Sequence, residues 1–259
     1  MCPQNKGFGS RLAGMDRIAV LADIHGVLPA LEAVLAEVDV LTADAIVLVG
    51  DIASGPQPVE TLDVLTTLGD RVVWVSGNAD RELVEMARGQ YDKEPPDAVS
   101  PWAAVQLRAD QVELLAGLPN TVTIGDALFC HATPRDDEEM VLVDSPISRW
   151  ATVFAGLPDD VRTVVCGHTH MPFARQVDRR LVVNAGSVGM PYGAPGPAWA
   201  LLTPDGVQLR RAPLDAAKAS ERIVAESTYP GRQEWVAEYL LNTYSDTEAL
   251  EAFRPRAEG

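Results

Sequence analysis

Histidine is scarce in this chain, four residues in 259, and cysteine is scarcer still, with three. Cys2, Cys130 and Cys166 are odd in number and show no C-x-x-C spacing, which argues against a disulfide framework and against a thiolate zinc site. A reducing, cytoplasmic setting is the expectation. Positive charge is also in deficit: 21 Lys and Arg against 37 Asp and Glu leave a formal charge of −16. A chain of that sign repels a phosphate backbone, so no stable nucleic-acid binding is expected, although bound divalent cations could reverse the sign locally and attract a small anion. No apolar run approaches the length of a membrane span, so no membrane partner is expected. The first sixteen residues, MCPQNKGFGSRLAGMD, lack the apolar core of a secretion signal and read as a flexible leader, 1–16, with the fold beginning near Arg17.

Apolar residues, by contrast, make up 47% of the chain, enough for a large α/β core. RIAVLA (17–22) is a short β-rich run, and GVLPALEAVLAEV follows with Pro29 near a helix start and Leu28, Leu31, Leu35 and Val38 at helical spacing. AIVLV (45–49) is the next strand. Pro58, Val59, Leu62, Leu65 and Leu68 then trace a second amphipathic helix, and RVVWV (71–75) gives a third strand. Strand, helix, strand, helix, strand predicts parallel pairing with right-handed crossovers. Residues 81–116 read as a helical cap insertion interrupted by KEPPDAVSPW, where three prolines enforce a loop. Strands resume at TVTI (121–124), ALFC (127–130), RTVVC (162–166), LVVN (181–184), AWALL (198–202) and GVQLRR (206–211), with a helix near 146–156. Short turns between the late strands predict a second, partly antiparallel sheet. The main domain is thus expected over 17–213, and a helical extension, broken at TYPG, over 214–259.

The informative feature is what stands after each apolar strand. RIAVLA is followed by Asp23 and His25, AIVLV by Asp51, RVVWV by Asn78, ALFC by His131, and RTVVC by His168 and His170 in CGHTH. All four histidines are used in this way. The carboxyl ends of strands in an open α/β sheet form the crevice where ligands bind, so five strand ends deliver these side chains to one place. An aspartate after a strand often only caps the next helix, and a single histidine is usually structural. The coincidence at five strand ends outweighs that reading. Seven nitrogen and oxygen donors without a thiolate exceed what one tetrahedral ion takes and suit two ions sharing a bridging carboxylate.

Taken in order, DIHG, GDI, GNAD, the strand-end His131 and CGHTH resemble the five motifs of the calcineurin-like metallophosphoesterase superfamily, over about Arg17 to Arg211. The resemblance implies an α/β fold of two stacked mixed sheets flanked by helices, a four-layer sandwich. It also implies a dinuclear site of manganese, iron or zinc. Asp23, His25 and His170 would hold one ion, Asn78, His131 and His168 the other, and Asp51 would bridge, with Asp51 and His25 counted in the catalytic set as well. The stretches LADIHGVLPALEAVL, HATPRDDEEM and VVNAGSVGMP are similar to the bacterial branch that includes phosphodiesterases and diadenosine-tetraphosphatase-like proteins.

One position departs from the pattern. Where much of the superfamily carries a histidine that protonates the leaving oxygen, this chain has Ala79, followed by Asp80. A general acid contributes roughly 100- to 10,000-fold, so strong dependence on the leaving group is expected if nothing replaces it. Asp80 is either an acceptor behind the ligands or a helix cap. Arg135 could hold a substrate phosphate or be a solvated surface residue. Asn184, Gly186 and Gly189 are expected to form a tight turn at the rim, and Cys130 and Cys166 to be core residues.

The expected function is metal-dependent hydrolysis of a phosphodiester or phosphoanhydride, of the nucleotide or dinucleoside polyphosphate class, by a metal-bridging hydroxide. The expected partner is a small phosphorylated substrate, with a homo-oligomer left open. Two alternatives remain: a low-activity metal-binding scaffold with the same fold, and a phosphomonoesterase or protein phosphatase.

Overall fold

The computed structural model of the chain describes residues 16–257. The leader expected over 1–16 therefore lies outside the described residues except for Asp16, as does Cys2. The backbone N–H groups of Asp16 and Arg17 both donate to Asp44 Oδ2 at 2.9 Å, which ties down the start of the first strand.

The first half folds as its periodicity predicts. Strand β1 (Ile18–Leu21) leads to helix α1 (Leu28–Leu35), β2 (Ala45–Val49), α2 (Pro58–Thr67), β3 (Val72–Val75) and α3 (Asn78–Ala87). Both α1 and α2 carry proline in the first turn, where a missing N–H costs nothing. The strands β1, β2 and β3 pair in parallel. Helices α4 (Val99–Gln106) and α5 (Ala109–Ala116) follow, then β4 (Thr121–Ile124), β5 (Ala127–Cys130), α6 (Ile147–Val153), β6 (Thr163–Cys166), β7 (Phe173–Val177) and β8 (Arg180–Asn184). The chain closes with β9 (Ala198–Thr203), β10 (Gly206–Arg211), α7 (Ala216–Glu226), α8 (Arg232–Val236) and α9 (Asp246–Ala257).

Two mixed five-stranded sheets result, in the orders β10-β9-β1-β2-β3 and β4-β5-β6-β8-β7. Alternation along the strands builds the layers. Ile18, Val20, Val47, Val49, Val73 and Val75 from the first sheet meet Phe129, Val165 and Val183 from the second, a dry layer between the sheets. Ala19, Leu21, Ile46 and Leu48 point the other way, into a core shared with α1, α2, α3, α4, α5 and α7. On the far side of the second sheet, Leu128, Val164 and Val182 pack under Trp150 and Val153 of α6. The order is helix, sheet, sheet, helix. Phe129 is fully buried in the middle, and truncating such a ring typically costs about 3–5 kcal/mol.

Three details differ from the sequence reading. The late strands do not all enter the second sheet: β9 pairs antiparallel with β1 and brings β10 to the edge of the first. FARQV forms an additional edge strand, β7, antiparallel to β8. The KEPPDAVSPW segment is not a loop throughout, because α4 starts at Val99 inside it. Pro101 is the third residue of that helix, within the first turn where no N–H is needed.

Candidate metal centre

The loops after β1 and β2 run side by side. The N–H of Asp23 donates to Gly50 O at 3.1 Å, that of His25 to Asp51 O at 2.9 Å, and that of Gly26 to Ile52 O at 3.0 Å. This lattice holds Asp23, His25 and Asp51 in left-handed backbone conformations. Seven non-glycine residues among those described have positive φ, and five of them are Asp23, His25, Asp51, His168 and His170, between 49° and 67°. Each such residue costs about 1–2 kcal/mol, a strain that surrounding contacts must offset and that gathers at functional sites.

These contacts are specific. Asp23 is fully buried, and its carboxylate accepts the His168 N–H at 2.9 Å. Its carbonyl accepts the Ser187 hydroxyl at 2.7 Å and the Gly189 N–H at 3.0 Å, so the GSVG turn reaches the site as expected. Asn184 Nδ2 donates to Gly167 O at 2.5 Å and braces the CGHTH loop. Space is as tight as the bonding. A Cβ on Gly77 would stand 2.3 Å from Asp51 Oδ1, and one on Gly167 would stand 2.4 Å from Asp23 Oδ2.

The structure brings all seven strand-end residues together. His25 Nε2 and His170 Nε2 are 3.2 Å apart, and His131 Nε2 is 3.1 Å from Asn78 Oδ1. Asp23, His25 and His170 form one group whose donor atoms all lie within 4.8 Å of one another, and Asp51, His131 and His168 form a second. Asp51 Oδ2 faces both, at 3.3 Å from His131 Nε2 and 3.7 Å from His25 Nε2.

Each imidazole has one nitrogen committed to a backbone carbonyl. His25 Nδ1 donates to Ser54 O, His131 Nδ1 to Val49 O, His170 Nδ1 to Met190 O, and His168 Nε2 to Glu138 O, at 3.2, 2.7, 3.0 and 3.1 Å. A carbonyl only accepts, so that nitrogen carries the proton and the other ring nitrogen keeps its lone pair for the cluster. A proton on the cluster side of an imidazole competes with an ion for the same lone pair. Burial disfavours a charged His131, but the Asp51 carboxylate outweighs it and pushes the pKa up to about 10. Burial likewise opposes ionisation of Asp51, yet His131 and His25 hold it well below the usual carboxylate range. His168 goes the other way, lowered to about 4 by burial and by His131. Buried carboxylates here favour added positive charge, and the donors are nitrogen and oxygen alone, which fits hard or borderline divalent cations.

Asp80 and Arg135 are placed differently. Asp80 is fully buried; its Oδ2 accepts the N–H of Asp51 at 2.8 Å and of Gly77 at 3.0 Å, and its Oδ1 accepts the N–H of Ile52 at 2.9 Å. It thus caps α3 and also clamps the loop that carries Asp51, out of reach of any substrate. Burial and the neighbouring Asp51 push its pKa up to about 7. Arg135 is exposed, but its fork is taken by Glu139, at 2.8 and 2.6 Å, and Nη1 donates to Thr152 O at 3.1 Å. Each guanidinium nitrogen thus already has one acceptor within the protein.

Two contributors were not evident in the sequence. Ser54 supplies the carbonyl for His25, and its hydroxyl lies 2.8 Å from Ser100 of α4, which links the helical insertion to the site. Tyr192 stacks on His170. Only the segment VGMPY, immediately after the glycine turn, could have signalled that an aromatic ring would return to the ligands.

Comparison with known proteins bears on this geometry. The model of the calcineurin-like phosphoesterase superfamily domain matches residues 16–206. Phosphodiesterase YfcE of Escherichia coli is 26% identical over 200 residues, 74% of this chain and 89% of its own. A symmetrical bis(5'-nucleosyl)-tetraphosphatase of Vibrio parahaemolyticus is 31% identical over 124 residues, 46% of each chain. Among solved structures, a metallophosphoesterase from Sphaerobacter thermophilus superposes with a TM-score of 0.70 at 25% identity, covering 86% of this chain and 98% of its own.

Proposed function

The chain belongs to the calcineurin-like phosphoesterase superfamily and is a phosphoric ester hydrolase, and we propose that it cleaves phosphodiester or phosphoanhydride bonds of small nucleotide or dinucleoside polyphosphate substrates at a centre of two divalent ions. Asp23, His25 and His170 would hold one ion, Asn78, His131 and His168 the other. Manganese or iron suits this donor set, with zinc the alternative. The observation that carries the reading is the position of Asp51, whose Oδ2 faces both histidine groups while its Oδ1 is occupied by the Ala79 N–H at 2.8 Å. One oxygen is fixed by the protein and the other is left to be shared.

Two bound ions would activate water, orient the phosphoryl group and neutralise charge on its oxygens. The protein's own part is positioning. Carbonyls of Ser54, Val49, Met190 and Glu138 hold the imidazoles in one tautomer and one orientation. Asp80 fixes the Asp51 loop to the start of α3, so ligands from two strand ends move as one body. Longer coverage of the phosphodiesterase relative, 89% of its length against 46% for the tetraphosphatase, supports a diester ahead of a dinucleoside tetraphosphate.

The test is metal analysis followed by hydrolysis of bis-p-nitrophenyl phosphate with added Mn²⁺, then a panel of monoesters, diesters, cyclic nucleotides and dinucleoside polyphosphates. Diesters or anhydrides should be preferred over monoesters. A protein that takes up two ions per chain and turns over none of these would instead be the scaffold.

A further inference from the structure

Beside the candidate metal centre lies an open cavity of about 420 Å³, walled by the loop after β5, by α6 and by α9. Its lining leads to both ligand groups. Glu138 lines it, and the Glu138 carbonyl accepts the His168 Nε2–H at 3.1 Å. Met140 lines it too, in one apolar cluster with Met171, the residue after His170, and with Tyr192, whose ring stacks on His170. A smaller cavity of about 50 Å³ is lined by His131 and shares Arg135 and Asp136 with the larger one. The larger cavity is thus an annex of the site.

The charges on its walls are unevenly paired. Arg135 gives its fork to Glu139, at 2.8 and 2.6 Å, and Glu139 also accepts the Thr133 hydroxyl at 3.0 Å. Arg149 of α6 stands beside the same carboxylate, its Nη2 3.1 Å from Glu139 Oε1, while its Nε is buried with no acceptor. A buried donor left without a partner on a charged group calls for an explanation. Arg256, in the last turn of α9, is exposed, and its side chain takes no hydrogen bond or ion pair among the described residues. Two further carboxylates line the cavity. Glu138 is turned to Arg81, and Asp136 Oδ1 accepts the N–H groups of Glu138 and Glu139, both at 2.7 Å. With Glu138 neutralised by Arg81, the three guanidiniums of Arg135, Arg149 and Arg256 face two carboxylates, Asp136 and Glu139. This positive surplus stands in a chain of formal charge −16, which elsewhere repels an anion. A basic residue suits the carbonyl end of a helix, which accounts for Arg256 alone but not for the unpaired Nε of Arg149 on another helix.

We infer that this cavity binds a second phosphate group of the substrate, held by Arg149 and Arg256 while the phosphoryl group to be cleaved lies at the metal centre. The inference rests on the phosphoesterase reading above and narrows it to substrates with at least two phosphate groups, a dinucleoside polyphosphate or a diester that carries a further terminal phosphate. A guanidinium fork meets two phosphate oxygens with parallel hydrogen bonds, and forks from two helices can hold one phosphate from two sides. The cavity volume lies in the range of pockets for small ligands. Part of the substrate specificity then resides in the C-terminal extension, because Arg256 stands beyond residues 16–206 that the family model matches.

The experiment compares metal-loaded wild type, Arg256→Ala, Arg149→Lys and Arg254→Ala, with metal content measured for each. The substrates are a matched pair, the p-nitrophenyl diester of thymidine 5′-phosphate with and without a 3′-phosphate, together with dinucleoside polyphosphates of increasing chain length. Wild type should prefer the member with the added phosphate by about tenfold in kcat/KM, chiefly through KM. Arg256→Ala should remove most of that preference. Arg149→Lys, which keeps the charge but not the fork, should remove part of it. Arg254→Ala, on the same helix but paired with Asp144 and outside the cavity, should keep it, which separates a built site from general surface charge. Inorganic phosphate should erode the wild-type preference by occupying the cavity. If it instead changes kcat alike on both members of the pair and leaves the preference in place, the cavity serves a free anion and the inference fails. No wild-type preference for a second phosphate in either substrate class, or equal losses in Arg254→Ala and Arg256→Ala, overturns the inference and leaves the phosphoesterase reading intact. Wild type inactive on every ester and anhydride overturns that reading and the inference with it.

Discussion

The Tyr192 ring stacks on the His170 imidazole, with centroids 5.8 Å apart and planes inclined by 27°. Phe253 of α9 meets Tyr192 edge-on at 5.7 Å, and Ala249 of the same helix is buried against Met140, Leu142 and Met171. Helix α9 lies beyond the residues that the family model matches, yet it closes on the outer side of a candidate ligand. It belongs to the wall of the site.

Removing that support should be felt at the metal. Tyr192→Ala should weaken binding of the ion assigned to His170 by about tenfold, the lower end of what outer groups around ligands contribute. Phe253→Ala should act more locally, raising hydrogen exchange over 246–257 before any global unfolding. Both are read by metal titration and exchange mass spectrometry. Equal metal affinity in Tyr192→Ala would show that the stack carries no weight in the site.

Asp51→Asn tests the sharing of one carboxylate between two groups. The amide keeps the size and an oxygen, but it removes the charge that faces His25 and His131. Metal content should drop from about two ions per chain to one or fewer, with most activity lost. A mutant that keeps two ions and near wild-type turnover would contradict the bridging role.

Asp80 predicts a stability effect larger than its distance from any substrate suggests. Asp80→Ala strands three buried N–H groups, those of Asp51, Ile52 and Gly77. At about 1–3 kcal/mol for each unsatisfied buried group, partly relieved by relaxation, the expected loss is roughly 3–5 kcal/mol in denaturant unfolding. Asp80→Asn keeps one acceptor oxygen and should lose about half as much. If both variants unfold like wild type, the clamp is not a clamp.

Arg135→Ala should change kcat/KM on small diesters by less than about threefold, since an exposed arginine already paired to a carboxylate contributes little elsewhere. A rise in KM of tenfold or more, with kcat unchanged, would return Arg135 to the substrate-binding role that its position after His131 suggested.

The ligand set was legible because each member directly follows an apolar strand, so the code is local and repeated five times. What was not legible depends on long-range pairing. AWALLT reads as a buried strand, but nothing in it specifies β1 as its neighbour rather than a strand of the second sheet. FARQV buries only its two end residues, Phe173 and Val177, too weak an alternation to mark a strand. Arg135 and Glu139 are four apart in a segment that is not helical, so their spacing alone could not show that they pair.

Ala79→His brings these threads together. Ala79 is 8% exposed, beside Asn78, and its N–H already holds Asp51 Oδ1. The sequence suggests that Asp80 could orient an imidazole introduced there, but that carboxylate has no oxygen to spare. An added histidine would therefore have no carboxylate to orient it, and Ala79→His should raise kcat/KM on alkyl esters by less than about tenfold. The comparison uses aryl and alkyl esters on both proteins, with metal content matched and log kcat/KM plotted against leaving-group pKa. A gain of roughly 100-fold on alkyl esters would mean that the imidazole protonates the leaving oxygen without Asp80, and that protonation had been left to water in the wild type.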